Sequence, residues 1–303
     1  MVGVRLFSRV ISALAAVSLT FCLSGEKIRV ASINLQNYLI MDRQVEGEWK
    51  KQYPKPEKEK RALRAVIKAV DADVLALQEI GERPFLNELW MDLNVTSGPV
   101  YPYALWMPAP DDEEERHLAL LSKLPFLSVR LEHDLDFVYF GGRKSPDRGL
   151  MEVEFQTKGT KWKLFNLHLK SKWTERKEDP GAGIRREKEA RTIRDYLRKT
   201  NPPAGKPFYL VVGDFNDHRN SPALRRFLQV NDTPLSKFVP CEDSRGHRWT
   251  HHWAKADAYS RFDYILSTPS LIEKLVPNSA KIFDGPESAL ASDHRMIYAD
   301  FSF

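Results

Sequence analysis

Apolar positions along the chain fall into short runs that stop abruptly on polar residues. The clearest is Phe208 to Asp217, FYLVVGDFND, bounded by Pro207 and broken at Gly213. An apolar, β-prone run of this length predicts a strand buried on both faces, belonging to a sheet covered by other layers. It delivers Asp214 to a strand end, where α/β sheets collect ligands and catalytic groups. If the extended geometry continues, Asp214 and Asn216 point to the same side. The same residues also read as a turn that merely ends the strand.

Upstream, Lys27 to Asn34 alternates Ile28, Val30 and Ser32 against Arg29, Ala31 and Ile33, a strand with Asn34 and Gln36 at its tip. Residues 57–70 set Ala62, Leu63, Val66, Ile67 and Val70 at helical spacing, an amphipathic helix over a sheet. Asp73 to Gln78 is a second buried strand with Glu79 immediately after it. Residues 84–93 read as helix, and Pro99 to Pro110 as an aromatic, proline-rich connection. Strands follow at His117 to Ser122 and Phe126 to Glu132, then a hairpin, Gly149 to Thr157 with Lys161 to Leu169, around Gly159. Its second strand carries His168, with Lys170 on the same face. A helix from Ile184 to Lys199 precedes the Asp214 strand, and a short helix opens at Ser221-Pro222. Arg261 to Ser267 is a strand carrying Asp263, and Asp293-His294 leads into a terminal strand.

With 303 residues, 42% hydrophobic and 29% charged, the chain can bury a full core, which excludes disorder. Residues 1–25 stand apart: Arg5 and Arg9 precede an apolar run from Val10 to Leu23, and Ser24-Gly25 supply small residues for cleavage. That pattern predicts a secretory leader, too short for a comfortable membrane span, with one domain over residues 26–303 exported to the periplasm or beyond. Cys22 raises lipid anchoring, which the bulky Phe21 opposes; beyond it Cys241 is the only cysteine, which excludes an intrachain disulfide. A net charge of +5 is compatible with a polyanionic substrate. Basic residues cluster from Lys170 to Lys188, beside Trp173, and could follow a nucleic-acid backbone or form a solvated face. Lys170 is the better phosphate contact and Arg148 the weaker one. Asp111 to Glu115 reads as a solvated acidic loop.

The strand ends thus collect Asn34, Glu79, His168, Asp214, Asn216, Asp263, Asp293 and His294. Carboxylate and amide oxygens suit a hard cation such as Mg²⁺, Mn²⁺ or Ca²⁺, and isolated histidines without cysteine argue against structural zinc. Such a set supports phosphoester hydrolysis: a divalent ion polarises the phosphoryl oxygen, a carboxylate activates water, and His and Asn neutralise charge.

In order, SINLQNY (32–38), DVLALQEI (73–80), NLHLKSK (166–172), GDFND (213–217), RFDYILS (261–267) and SDH (292–294) resemble the endonuclease/exonuclease/phosphatase superfamily, the deoxyribonuclease I-like group. The resemblance implies a four-layer α/β/β/α sandwich, two facing mixed β-sheets flanked by helices. It also implies a monomeric, metal-dependent phosphodiesterase, foremost a nuclease, with no stable protein partner. Position by position, Glu79 and Asn34 hold the principal metal with Asp293 nearby. Asp214 aligns the attacking water, Asn216 donates to the phosphate, Asp263 orients His294, and His294 binds the phosphate or acts as base. His168 is a second phosphate ligand or general acid. Gln36 and His168 are similar to the deoxyribonuclease I branch, which speaks against abasic-site repair. His117 stands where many relatives have a small residue. Two other readings share these residues: a sphingomyelinase-like or small-ester phosphohydrolase, for which the sequence offers no evident apolar hairpin, and a non-catalytic binding module.

Overall fold

The computed structural model describes residues 25–95 and 101–303, so the expected leader and Cys22 lie outside the described residues apart from Gly25. Two six-stranded mixed sheets face one another. One runs Lys281–Ile282, Ile297–Ser302, Lys27–Tyr38, Val74–Ile80, His117–Ser122, Tyr103–Met107. The other runs Lys237–Phe238, Asp263–Ser267, Tyr209–Asp214, Thr160–His168, Leu150–Thr157, Ser128–Glu132. Each holds a parallel pair, Lys27–Tyr38 beside Val74–Ile80 and Thr160–His168 beside Tyr209–Asp214. Parallel neighbours need a crossover, and the helices Glu57–Val70 and Gly183–Thr200 lie in those connections. The proline-rich stretch expected as a connection contains an edge strand, Tyr103–Met107 paired to His117–Ser122, because its aromatic residues fit a pleated surface.

Three apolar clusters fill the spaces between four layers. Val30, Val74, Leu164 and Val212 meet between the sheets; Leu63, Ile67, Leu75 and Leu77 pack helices on the first sheet; Phe165, Ile193, Leu197 and Val211 pack helices on the second. Strand alternation decides which face each residue serves. Val30 shares its parity with Ser32 and Asn34, Leu164 with Asn166 and His168, Val212 with Asp214, and Ile265 with Asp263. The inter-sheet face therefore turns from apolar to polar at one end. Just below that end, the fully buried Gln78 donates across to the other sheet, to Asn166 Oδ1 at 2.7 Å, and within its own sheet to Ser32 Oγ at 3.1 Å. Asn166 in turn donates to the carbonyls of Leu77 and Ala119.

Gly213 is required by this packing. Its φ is +135°, and a Cβ there would lie 2.0 Å from the carbonyl oxygen of Leu167 on the neighbouring strand. Gly213→Ala is expected to lower stability by about 3 kcal/mol or more, since backbone must shift to relieve the overlap. A urea unfolding midpoint unchanged from wild type contradicts this.

Candidate active site

Asn34, Glu79, Asp293 and His294 come from the first sheet and its connections, and His168, Asp214, Asn216 and Asp263 from the second. The structure brings all of them together at the carboxyl ends of the two parallel pairs. Asn34 Nδ2 donates to Glu79 Oε1 at 3.1 Å and to Asp214 Oδ2 at 3.0 Å, joining the sheets. Asp263 Oδ2 lies 2.8 Å from His294 Nδ1, and His294 Nε2 is 3.8 Å from Asp214 Oδ2. His168 Nε2 lies 3.1 Å from Asn216 Nδ2 and 3.4 Å from Asp214 Oδ2.

Glu79 reaches this face only through a local break. Continued alternation after Leu75 and Leu77 would aim it at the helices, but its φ is +60° and the ladder shifts register between Gln78 and Ile80. Opposite, Gln36 and Asn37 also have positive φ, within the irregularity of the Asn34 strand. The Asn37 N–H donates to Glu79 Oε2 at 2.8 Å, and Lys55 Nζ reaches the Gln36 carbonyl at 3.4 Å. Left-handed Glu and Gln are uncommon, and such strain concentrates at functional sites. Nor does the strand continue to Asn216: its φ is +52°, and its N–H folds back to Asp214 Oδ1 at 2.8 Å. GDFND therefore forms a turn that ends the strand, and that turn sets Asn216 beside His168. Asn216 Nδ2 also donates to the Leu169 carbonyl, so its amide is engaged by the protein.

The two central histidines are held in opposite states. Burial opposes charge on His294, but the Asp263 and Asp214 carboxylates outweigh it and hold the imidazolium well above its usual range. Burial, with Arg148 adding, pushes His168 well below it. Burial raises the Asp214 carboxyl, and Asp263 adds to this while His294 opposes it. Asp293 is raised chiefly by burial, with Glu79 adding to it. Carboxylates outnumber cations here, and one buried oxygen of Asp263 has no hydrogen-bond partner among the described residues. Glu79 and Asp293 are the more open acids, with side chains 16% and 34% exposed against 1% and 0% for Asp214 and Asp263. A surplus of oxygen donors with an opening to solvent fits a divalent cation. Two compact groups of ligand atoms, His251–Asp293–His294 and Asp214–Asp263–His294, could hold an ion.

Other expected residues fare differently. Lys170 stays beside the site, with Nζ 5.7 Å above the exposed Trp173 ring. Arg148 is only 4% exposed and paired through Nη2 with Glu114 at 2.8 Å, while its buried Nε and Nη1 have no hydrogen-bond partner among the described residues. Arg186 is buried against Asp217 and the Gly181 carbonyl, and the half-buried Arg185 pairs with Asp147; this part of the basic stretch holds the loop to its helix. His117 is structural, accepting from the Ala109 N–H at 3.0 Å and packing edge-on to Trp106. The sequence reading passed over His251, whose Nε2 is 3.8 Å from Asp293 Oδ2 and whose ring stacks on Phe262. Burial pushes its pKa down to about 4, so it is a neutral imidazole. The signal was THHW shortly before RFDYILS.

Asp263→Asn removes the carboxylate bonded to His294 and leaves the opposing burial. The His294 imidazole is expected to titrate above about 6.5 in the wild type and to fall in the variant, read by the proton-NMR titration of its ring. An unchanged titration contradicts the assigned pairing.

No curated protein matches the sequence. The fold is shared with an endonuclease/exonuclease/phosphatase family protein from Leptotrichia buccalis C-1013-b at 17% identity and TM-score 0.61, covering 91% of this chain and 100% of that one. The human Nocturnin catalytic domain, solved with a bound sulfate anion, gives 19% and 0.64 over 91% of this chain and 94% of that one. A humanized D. rerio TDP2 gives 17% and 0.60 over 91% and 99%. The model of the Endonuclease/Exonuclease/phosphatase family matches residues 31–294, and the chain belongs to that family, whose members are phosphoester hydrolases.

Proposed function

We propose that the protein is a secreted, divalent-metal-dependent phosphodiesterase acting as a monomer on nucleic acid. The observation that carries this is the meeting of buried carboxylates from both sheets around one charged and one neutral histidine. Two groups whose environments drive their protonation apart suit a pair with different duties. Family members use divalent metals, and Glu79 and Asp293, with Asn34 beside them, would hold one here. When bound, Mg²⁺, or Mn²⁺ or Ca²⁺, supplies positive charge to a phosphoryl oxygen.

The chain's own residues account for the rest. His294, held charged by Asp263, donates to the phosphate as negative charge builds on its oxygens. Asp214 lies between both histidines and orients the attacking water and takes its proton. His168, held neutral by burial, is a second phosphate contact, and the His294 imidazolium supplies the proton that the leaving oxygen takes. With its amide engaged by Leu169, Asn216 positions His168. Lys170 and Trp173, on the His168 side, offer a cation and a stacking surface to a nucleic-acid strand. Export rests on the apolar run Val10 to Leu23 behind Arg5 and Arg9. Among the described residues no helix is long and apolar enough to cross a membrane.

A phospholipid substrate is the second reading, and the structure supplies the hairpin that the sequence did not reveal. Strands Phe137–Tyr139 and Gly142–Lys144 present Val138 and Phe140, 62% and 48% exposed, with the Arg176 guanidinium 4.8 Å above the Phe140 ring. An apolar tip with a basic rim suits a bilayer surface.

Residues 26–303 are expected to nick plasmid DNA with Mg²⁺ and to lose this in EDTA. Asp214→Ala and His294→Ala are each expected to cut turnover by about 10²–10⁴ without loss of fold by circular dichroism. Normal turnover in either variant contradicts the mechanism. Sphingomyelin vesicles assayed in parallel discriminate the second reading, which requires release of the phosphorylated headgroup with plasmid untouched.

A further inference from the structure

We infer that the cleft beside the antiparallel pair His251–Trp253 and Ala258–Ser260 is a nucleobase subsite, holding the base on one side of the scissile phosphate; this rests on the phosphodiesterase reading. The cleft, of about 530 Å³, is lined by Trp249, His252 and Tyr259 and shares Gln36 and Asp293 with the acidic centre. Gln36 Oε1 accepts the Asp293 N–H at 3.0 Å, so the cleft begins where the carboxylates end. It shares no lining residue with the pocket that holds Lys170 and Trp173.

The rings are held in place before any ligand arrives. His252 stacks on Tyr259 with centroids 4.3 Å apart and planes at 10°, and Trp249 meets Tyr259 edge-on at 4.9 Å. The Arg295 guanidinium covers Trp249 at 4.0 Å and is itself fixed by Asp243 at 2.9 Å, the residue directly after His294 thus bracing the ring. A preset aromatic wall loses little freedom when a flat ring stacks on it. Volume and mixed lining match a small-molecule site.

Aromatic walls with nearby carboxylates also attract quaternary ammonium groups. Here the cation that such a wall would take is already supplied by Arg295, and Arg245 lines the same cleft. The Trp249 face that a cation would occupy is thus already covered, whereas the exposed Tyr259 ring leaves a flat surface on which a neutral planar base with donors and acceptors on its edge can stack. The bordering polar side chains Arg245 and Asp284 suit such an edge.

The test uses p-nitrophenyl esters of thymidine 5′-phosphate, thymidine 3′-phosphate, methyl phosphate and phosphocholine, which share one leaving group. One thymidine ester is expected to be cleaved with higher kcat/KM than the methyl ester. Trp249→Ala and the solvent-exposed Tyr259→Ala are each expected to reduce that preference roughly fivefold to a hundredfold. Because Trp249 packs against Arg295, Tyr259→Ala decides the matter if the first variant misfolds. An unchanged preference in Tyr259→Ala, equal cleavage of thymidine and methyl esters, or a loss confined to the phosphocholine ester overturns the subsite. If no ester is hydrolysed the phosphodiesterase reading falls. Calorimetric titration then decides the cleft: tighter binding of thymidine 5′-monophosphate than of methyl phosphate, lost in Tyr259→Ala, upholds it, and equal affinity overturns it.

Discussion

The hydrogen bond from Gln78 to Asn166 crosses from one sheet to the other in a fully buried setting, and the site depends on the register it fixes. Glu79 follows Gln78 directly, and His168 stands two residues beyond Asn166 on the same strand face. A slip of either sheet would separate the acids of one from the histidine and aspartates of the other. Apolar contacts between the sheets are tolerant of small displacements, whereas a buried amide pair is not, because every lost partner leaves a desolvated group. Above this pair the bonds Asn34 to Asp214 and Asp263 to His294 repeat the crossing with charged groups.

That geometry concentrates negative charge where water has been excluded. Buried carboxylates remain ionised only beside compensating charge, and the protein supplies part of it through His294 and the buried Lys55, the latter paired with Glu59 at 3.0 Å. The uncompensated remainder lies on the more open acids, Glu79 and Asp293, which is where a cation can enter. Backbone strain at Gln36, Asn37, Glu79 and Asn216 is part of the same arrangement, since regular strands would turn two of these side chains elsewhere.

Much of this was legible in the sequence because strand parity is a local rule. Ile28, Val30 and Ser32 announce the face on which Asn34 appears, and FYLVV announces the face of Asp214. The order of six motifs supplied the layers, which periodicity alone does not. What stayed hidden depends on long-range or irregular structure. The bulge that redirects Glu79 leaves no mark in DVLALQEI, and Tyr103–Met107 becomes a strand only because His117–Ser122 offers it an edge. The sequence does not show that Arg148, Arg185 and Arg186 meet Glu114, Asp147 and Asp217. His251 enters the site through a short hairpin whose strands are too brief to show alternation.

Solved structures that share under a fifth of their residues with this chain have the same fold. The central claim is that the carboxylates left uncompensated by the fold form a cation site next to a phosphate site. Anomalous diffraction from crystals soaked with Mn²⁺ and inorganic phosphate tests it most directly. The account predicts a manganese peak at Glu79 and Asp293, absent in Glu79→Gln, with phosphate in contact with His294. Manganese bound only at surface acids, or phosphate held away from both histidines, would contradict it.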